Sequence, residues 1–302
     1  MTAERISIGY FGDGIWAHEA FKLLVADTAV VIRFVCLRSG SQDAVLSGLA
    51  EKHGVPVLKH PNINSSEFIA RVRAENCDLL VSMSFNQIFS REIIDIRPRG
   101  IINCHAGKLP FYRGRNILNW VLINDEKEFG ITVHYVDEGI DTGDILAQEC
   151  LPITDADDYS TLLIKAHAGC AQILYRTITD IRLGRAVARR QVDIHPIGFY
   201  CGLRRAGDEM IDWSCSSREV FNLVRAVCRP GPQALSTFAG QDLRINRVSL
   251  IPGAPAYRGI PGQVVGKTAG GLVIKTGDTT VEVIEYDYAL KIRIGDRLGR
   301  SS

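Results

Sequence analysis

The chain has 302 residues, of which 46% are hydrophobic and 23% charged, proportions that are ordinary for a globular protein. This length suits one large domain and a smaller one. The net charge of +1 gives no indication of a general polyanion-binding surface, although it leaves room for a local basic patch. No apolar run approaches the roughly 18 residues of a membrane-spanning helix, and the strand pattern begins almost at once, so no signal peptide is expected.

The eight cysteines are scattered and form no Cys-x-x-Cys pair. This spacing argues against a zinc knuckle and against a disulfide framework. Most of the cysteines are expected to be small core residues. We therefore predict a cytoplasmic protein that holds no metal.

Strand and helix patterns alternate through the first half of the chain. The apolar run RISIGYFG precedes GIWAHEAFKLLV, whose apolar residues have helical spacing. The alternation continues through VVIRFVCLR, SQDAVLSGLAEKHG, VPVLK, NSSEFIARVRAENC, DLLVSMS and GIINCH. This order predicts an α/β fold: a Rossmann-like, mostly parallel sheet with helices on both faces.

The second half of the chain changes character after a helix that we predict from about residue 160 to about residue 179. Periodicity is then lost, and beyond that stretch Ser216 and Glu219 form a capping-box pattern ahead of the helix REVFNLVRAVC. Short strands with turn signals complete the chain. We predict a large α/β domain at residues 1–182, a linker at 183–204 and a small β-rich, barrel-like domain at 205–302.

Polar side chains lie at the end of the strand GIINCH. Asn103 and His105 occupy alternate positions, so both side chains point to the same face. Ligands of open α/β sheets bind at the carboxyl ends of the strands. The residues Ser84, Phe85 and Asn86 follow the preceding strand, so the sequence predicts a binding site along this edge.

The acidic stretch VDEGIDTGD, residues 136–144, follows another apolar strand. Its spacing does not match a calcium-binding EF-hand loop, and most such stretches are solvated loops. On the predicted edge, however, Asp141 could hold a histidine in one tautomer and stabilise its cation. His134, on the alternating strand before this loop, is predicted to be packed.

Other common nucleotide-binding and nucleophile motifs do not fit. Gly9, Gly12 and Gly14 have the wrong order of gaps for a dinucleotide-binding turn. There is no Walker A lysine and no Gly-x-Ser-x-Gly elbow.

The segment NCHAGKLPFYRG, followed by DEGIDTGDI with Asp141 38 residues after Asn103, resembles the folate-dependent formyltransferases. The resemblance extends over residues 79–148 and continues more weakly into MIDWSCSSREVFNLVRAV, like the start of the small barrel-like domain of some members. It implies catalysis by Asn103, His105 and Asp141, with N10-formyltetrahydrofolate as the formyl donor and no metal.

The resemblance also implies a role for each residue. Asn103 would donate an N–H to the oxyanion that develops on the formyl oxygen. His105 would either accept the proton of the attacking amine or, as a cation, help to hold the oxyanion; both alternatives stay open. Asp141 would orient His105 and assist proton transfer to the leaving nitrogen. The donor would be bound, largely through the backbone, near Phe85, Asn86, Ile88, Val136 and Asp144.

The sequence around the histidine bears on the acceptor. The tRNA enzymes of this family read Ser-Leu-Leu-Pro after the histidine and carry a long basic insertion after the second strand, whereas this chain has Gly107-Lys108-Leu109-Pro110 and little positive charge there. It is more similar to sugar N-formyltransferases of surface-polysaccharide pathways. We therefore predict a nucleotide-linked amino sugar as acceptor, with no nucleic acid or membrane partner, and Lys108, Arg113 and Arg115 as its anion-binding residues.

Several alternatives stay open. A methionyl-tRNA formyltransferase would share the catalytic residues, and so would a formyltetrahydrofolate hydrolase, although such hydrolases usually carry an N-terminal regulatory domain. A non-catalytic folate-binding protein would not need an intact Asn-His-Asp set. The C-terminal domain could contact substrate, form a homodimer interface or stabilise the fold.

Overall fold

The computed structural model describes residues 5–287 and 291–299. Its contacts group the chain into two compact units. The first unit comprises the chain up to Gly114 together with Phe129–Leu151 and Ile164–Cys201; the second comprises Arg115–Glu128, Pro152–Leu163 and the chain from Gly202 onward.

The first unit contains a seven-stranded sheet. Its strands in chain order, with the helices between them, are β1 (Ile6–Gly12), α1 (Gly14–Ala26), β2 (Val30–Leu37), α2 (Ala44–Lys52), β3 (Val57–Lys59), α3 (Ser66–Ala74), β4 (Leu79–Met83), α4 (Arg91–Ile94), β5 (Ile101–His105), β7 (Glu128–Tyr135) and β8 (Ile145–Pro152). A two-residue strand, β6 (Arg113–Gly114), and a helix, α5 (Ile117–Ile123), lie between β5 and β7 in the chain.

The sheet order is β3-β2-β1-β4-β5-β7-β8. The pairs from β3 through β5 are parallel, whereas β7 is antiparallel to β5. The prediction of a mostly parallel α/β sheet is therefore confirmed. The antiparallel β7 matters for function because its register decides which side chain lies beside Asn103.

An aromatic cluster forms part of the core of the first unit. The ring of Phe11 is fully buried and contacts the rings of Phe34, Phe68, Phe85 and Phe89, with centroids 5.2–6.3 Å apart. Most of these contacts are edge-to-face, the arrangement that aromatic quadrupoles favour. The cluster lies under the end of β4, so the start of the segment after β4 is anchored to the core.

The second unit contains a five-stranded sheet and a capped helix. The long helix α6 (Tyr159–Arg182) and the strand β9 (Tyr200–Cys201) precede this part in the chain, and its own elements are α7 (Ser217–Val227), β10 (Ala234–Phe238), β11 (Gln241–Leu250), β12 (Val264–Lys267), β13 (Leu272–Lys275) and β14 (Thr280–Asp287). The antiparallel sheet has the order β10-β11-β14-β13-β12. Ser216 and Glu219 form the capping box of α7, and the β-rich C-terminal part of the fold prediction is confirmed.

The structure differs from the predicted linker at residues 183–204. The part through Cys201 belongs to the first unit. A single 3-10 turn at Gln191–Asp193 and the strand β9, which pairs in parallel with β6, give this segment its structure. The sequence showed no periodicity there because the segment is held by individual hydrogen bonds and not by one helix or strand face.

Within residues 5–287 and 291–299, no helix is both long and apolar enough to cross a membrane. The cytoplasmic location stays a prediction.

We expect Phe11→Ala to lower the free energy of unfolding of the first unit by about 3–5 kcal/mol, because truncation leaves a cavity among four other rings. Urea denaturation would measure this loss. Phe199→Ala removes the same atoms from a side chain that is 42% exposed, so its loss should be about 1 kcal/mol or less. If the two variants lost the same free energy of unfolding, the ring cluster around Phe11 would not be a particular source of stability.

Candidate active site

Strand β5 positions the predicted amide and imidazole together. Asn103 and His105 are on the same face of β5, and Asn103 is paired with His134 of the antiparallel β7. The His134 side chain is 2% exposed, and its Nδ1–H donates to the Tyr135 carbonyl at 2.7 Å. On the other side of the ring, His134 Nε2 lies 3.3 Å from Asn103 Nδ2. This contact fixes which end of the Asn103 amide faces His134.

The carboxylate of Asp141 lies between two imidazoles. Its Oδ2 is 3.6 Å from His105 Nδ1, and its Oδ1 is 3.5 Å from His134 Nε2. The Gly114 backbone N–H donates to Oδ2 at 2.9 Å. Asp141 itself has a φ of 54°, in the left-handed region that aspartate tolerates better than most residues. The three predicted catalytic residues are thus brought together, with His134 as a fourth member.

The charge of Asp141 follows from opposing effects. Burial by itself raises the pKa of this carboxyl, but the nearby imidazoles of His105 and His134 and the Gly114 N–H lower it, and the pKa ends well below its usual value. Asp141 is therefore ionised at neutral pH, and a carboxylate with its negative charge lies within reach of both rings.

His105 is held from both ring nitrogens. Its Nε2–H donates to the Tyr112 carbonyl at 2.8 Å, and its Nδ1 faces the Asp141 carboxylate. These two contacts fix the orientation of the ring beside Asn103.

Gly107 allows the chain to close over His105. A Cβ on this glycine would lie 2.4 Å from His105 Nε2 and 2.4 Å from the Tyr112 carbonyl oxygen. With a side chain at this position the ring or the Tyr112 backbone would have to shift, so Gly107 allows the close approach found in this chain.

Gln191 is a buried residue that sequence reasoning missed. Its Nε2 donates to the carbonyls of Asp141 and Gly143, at 2.8 Å each, and its Oε1 accepts from Arg113 Nε and Nη2 at 3.1 and 2.6 Å. One amide thus holds the acidic loop and the strand β6 together. No sequence signal pointed to it, because it lies in the aperiodic segment.

The residues predicted to bind the donor divide into two groups. Phe85 and Val136 are half-buried and pack against the same apolar cluster as Phe11. Asn86 and Ile88 are exposed, Ile88 by 64%. The carbonyl of Asp144 accepts from the Tyr135 N–H at 2.9 Å, so this residue is fixed through its backbone. The residues offer an apolar surface and nearby backbone groups, as a flat heterocycle requires.

The predicted anion-binding residues are not equivalent. Lys108 and Arg115 are exposed. Arg113 is half-buried, bonded to Gln191, and lies 5.5 Å from the centre of the Tyr200 ring. Its guanidinium is therefore partly used to hold the site together.

The described residues include no group of three or more His, Cys, Asp and Glu side chains arranged to hold a metal ion.

Comparison with known proteins gives two family matches. Residues 19–178 match the family described as formyl transferase, and residues 205–294 match the formyl transferase C-terminal domain. Among curated relatives, the methionyl-tRNA formyltransferases of Geobacter metallireducens, Pelobacter propionicus and Halothermothrix orenii are 32%, 34% and 33% identical to this chain. The matches cover 78%, 82% and 83% of this chain and 74%, 75% and 84% of those proteins.

Two solved structures have a similar fold. The sugar 3N-formyl transferase WlaRD, solved with dTDP and 5-N-formyl-THF, is 19% identical with a TM-score of 0.69, over 95% of this chain and 100% of that one. The N-formyltransferase from Helicobacter canadensis, solved with folinic acid and dTDP-3-aminofucose, is 18% identical with a TM-score of 0.67, over 92% and 99% of the two chains. At these identities the similarity concerns the fold alone.

These comparisons contradict the predicted acceptor. The relatives with the higher identity are tRNA enzymes, so the prediction of a nucleotide-linked amino sugar with no nucleic acid partner is wrong. That prediction rested on the missing basic insertion after β2 and on the turn Gly107–Pro110. It overlooked residues 182–205, which contain six arginines and one acid, Asp193.

We expect Gln191→Met to loosen the acidic loop without unfolding the unit. Methionine has a similar volume but leaves the carbonyls of Asp141 and Gly143 without their donor, which lowers the free energy of local opening by about 1–3 kcal/mol. Amide hydrogen exchange of residues 136–144 and of Gly114 should accelerate accordingly. Asp193→Ala is the matched control, because it breaks only an exposed ion pair with Arg190 in the same turn. If amide hydrogen exchange in Gln191→Met were the same as in the wild type, Gln191 would not be the residue that holds the acidic loop.

Proposed function

Since the chain belongs to the formyl transferase family, we propose that it transfers the formyl group of N10-formyltetrahydrofolate to the α-amino group of methionyl-tRNA. One observation carries the proposal: Asn103, His105 and Asp141 converge on the carboxyl edge of a sheet, in a chain about one-third identical to methionyl-tRNA formyltransferases over about four-fifths of its length.

The formyl donor is supported by the family and by the character of the edge. The half-buried side chains of Phe85 and Val136 offer apolar surface to a pterin ring, and the backbone of the acidic loop up to Asp144 offers polar groups. The two formyltransferases of similar fold were solved with 5-N-formyl-THF and with folinic acid. Asn86 and Ile88 are proposed to border the same ligand.

Asn103 is proposed to stabilise the developing oxyanion. When the amine attacks the formyl carbon, negative charge develops on the formyl oxygen. One N–H of the Asn103 amide is directed to His134, and the other is available to donate to that oxygen. A donor fixed in advance costs no reorganisation during the reaction.

His105 and Asp141 are proposed to manage charge and protons. The attacking nitrogen becomes cationic as the new C–N bond forms, and it must lose a proton; the leaving N10 of tetrahydrofolate must gain one when the old C–N bond breaks. The ionised Asp141 can assist this proton transfer. The His105 imidazolium, held by Asp141 and the Tyr112 carbonyl, contributes positive charge beside the oxyanion.

Lys108, Arg113 and Arg115 are proposed to contact phosphates of the acceptor RNA. All three lie within ten residues of His105 in the chain, and Arg113 is held by the same Gln191 that holds the Asp141 loop. Phosphate contacts position a nucleic acid and need no base recognition.

The proposed function can be tested by direct assay. Purified protein and N10-formyltetrahydrofolate are incubated with initiator methionyl-tRNA, and formylmethionine on the tRNA and released tetrahydrofolate are measured together. We expect equal amounts of both, and none with uncharged tRNA. Formylation of a nucleotide-linked amino sugar with no formylation of the tRNA would contradict the proposal. Tetrahydrofolate release without a formylated product would indicate a hydrolase.

We expect Asn103→Ala to lower kcat by about 10²–10³, because it removes one oxyanion donor. The KM for the folate should change much less, since the donor contacts are proposed elsewhere. His134→Phe is the matched variant: it keeps Asn103 but removes the acceptor that orients its amide, so its kcat should fall less. An Asn103→Ala enzyme with near-normal kcat would refute the assigned role.

A further inference from the structure

Four aromatic side chains, three exposed and one half-buried, lie next to the candidate active site. This aromatic face consists of Phe111, His195, Phe199 and Tyr200. The ring of Phe111 lies 5.1 Å from that of His195 and 5.6 Å from that of Phe199. Phe199 is 42% and Tyr200 54% exposed, so large apolar rings are held together without being covered. Exposed apolar patches of this kind mark binding surfaces.

The aromatic face is held in place by backbone contacts. Tyr200 belongs to β9, which pairs with β6, and the Arg113 N–H donates to the Phe199 carbonyl at 3.1 Å. The ring of Tyr112 lies 4.9 Å from that of Phe199. A Cβ on Gly198 would lie 2.2 Å from the Pro110 carbonyl oxygen, so the chain approaches its neighbour as closely as glycine allows. The rings are therefore ordered before any ligand arrives.

Arginines precede the aromatic face in the chain. Residues 182–201, all in the first unit, contain four arginines and one acid, Asp193, and Arg185 is paired with Asp180. Arg189 and Arg190 are exposed, and the pair of Arg190 with Asp193, at 2.7 Å, is also exposed. Surface pairs of this kind contribute little, so a polyanion can replace the aspartate. Aromatic rings combined with arginines are the usual means of binding single-stranded nucleic acid.

The aromatic face is one strand pairing away from the catalytic carboxylate. Arg113 is paired with Tyr200 and Gly114 with Cys201, and the Gly114 N–H is 2.9 Å from Asp141 Oδ2. An acceptor that presents its reactive amine at the very end of an RNA strand would pass its last nucleotides over this surface.

We propose that the aromatic face stacks the unpaired bases at the 3′ end of the acceptor RNA, while the arginines of residues 182–201 neutralise its phosphates. The proposal rests on the proposed function, because it assigns the acceptor of that same site. A protein partner would bind the exposed rings but would not account for the arginines beside them. A single nucleotide would use one ring and little of the charge.

Binding of a short RNA tests the proposal directly. A labelled single-stranded ACCA tetranucleotide is titrated with the protein, and its fluorescence anisotropy gives the Kd. We expect Phe199→Ala to raise this Kd by about five-fold or more, the effect of losing one stacked base, and Phe199→Trp to restore it. Tyr257→Ala is the matched control, because Tyr257 is 41% exposed and lies in the second unit.

Enzyme kinetics supply the second measurement. With methionyl-tRNA, Phe199→Ala should raise the KM for the tRNA to a similar extent, with kcat and the KM for the folate changing less than about two-fold. Arg189→Ala should reduce the slope of log Kd for the tetranucleotide against log salt concentration by about 0.7, the value for one phosphate contact on a single strand.

The outcomes separate this proposal from the proposed function. If the wild-type protein formylates methionyl-tRNA but Phe199→Ala leaves the KM and the tetranucleotide Kd unchanged, the aromatic face has no role and the function stands. If the tetranucleotide binding depends on Phe199 but methionyl-tRNA is not formylated, the stacking surface stands and the acceptor is wrong. Equal affinity for AMP and the tetranucleotide would overturn the assignment to an RNA strand.

Discussion

The candidate active site depends on one ionised carboxylate held between two imidazoles. Asp141 is largely buried, and burial alone would raise its pKa; the two histidines and the Gly114 N–H lower it. The ionised carboxylate lies within reach of His105 and of His134, which in turn contacts the Asn103 amide. The three residues proposed for catalysis are thus linked through a single negative charge.

The sequence predicts the strand that carries this site and most of its residues. Alternation along β5 puts Asn103 and His105 on one face, and the acidic loop was expected on the same edge. His134 was predicted only to be packed, because sequence alone does not give the register of the antiparallel β7 against β5, and that register puts His134 opposite Asn103. Gln191 was missed because its hydrogen bonds come from an aperiodic segment that joins two parts of the first unit distant in sequence.

The wrong prediction of the acceptor shows where reasoning from single motifs fails. The turn Gly107–Pro110 distinguishes subgroups by sequence, but in this structure Gly107 lies against His105 and the Tyr112 carbonyl and gives no direct information on the acceptor. The absence of a basic insertion after β2 leaves open where else in the chain basic residues lie. The arginines of residues 182–205 were visible in the sequence, but their meaning depends on β9 pairing with β6, which brings part of that segment next to Asp141.

Gln191 connects the surface proposed to bind RNA with the carboxylate proposed to act on it. Its amide bonds the Asp141 and Gly143 carbonyls, and it lies in the same segment as the aromatic face. The aromatic face and Gln191 are both held by hydrogen bonds within the first unit, so a ligand on that surface would meet an Asp141 loop that is already positioned. A substitution at Gln191 removes the donor that positions this loop, whereas a substitution at Phe199 removes only a ring from the surface, because among the described residues the side chain of Phe199 makes no contact with the loop.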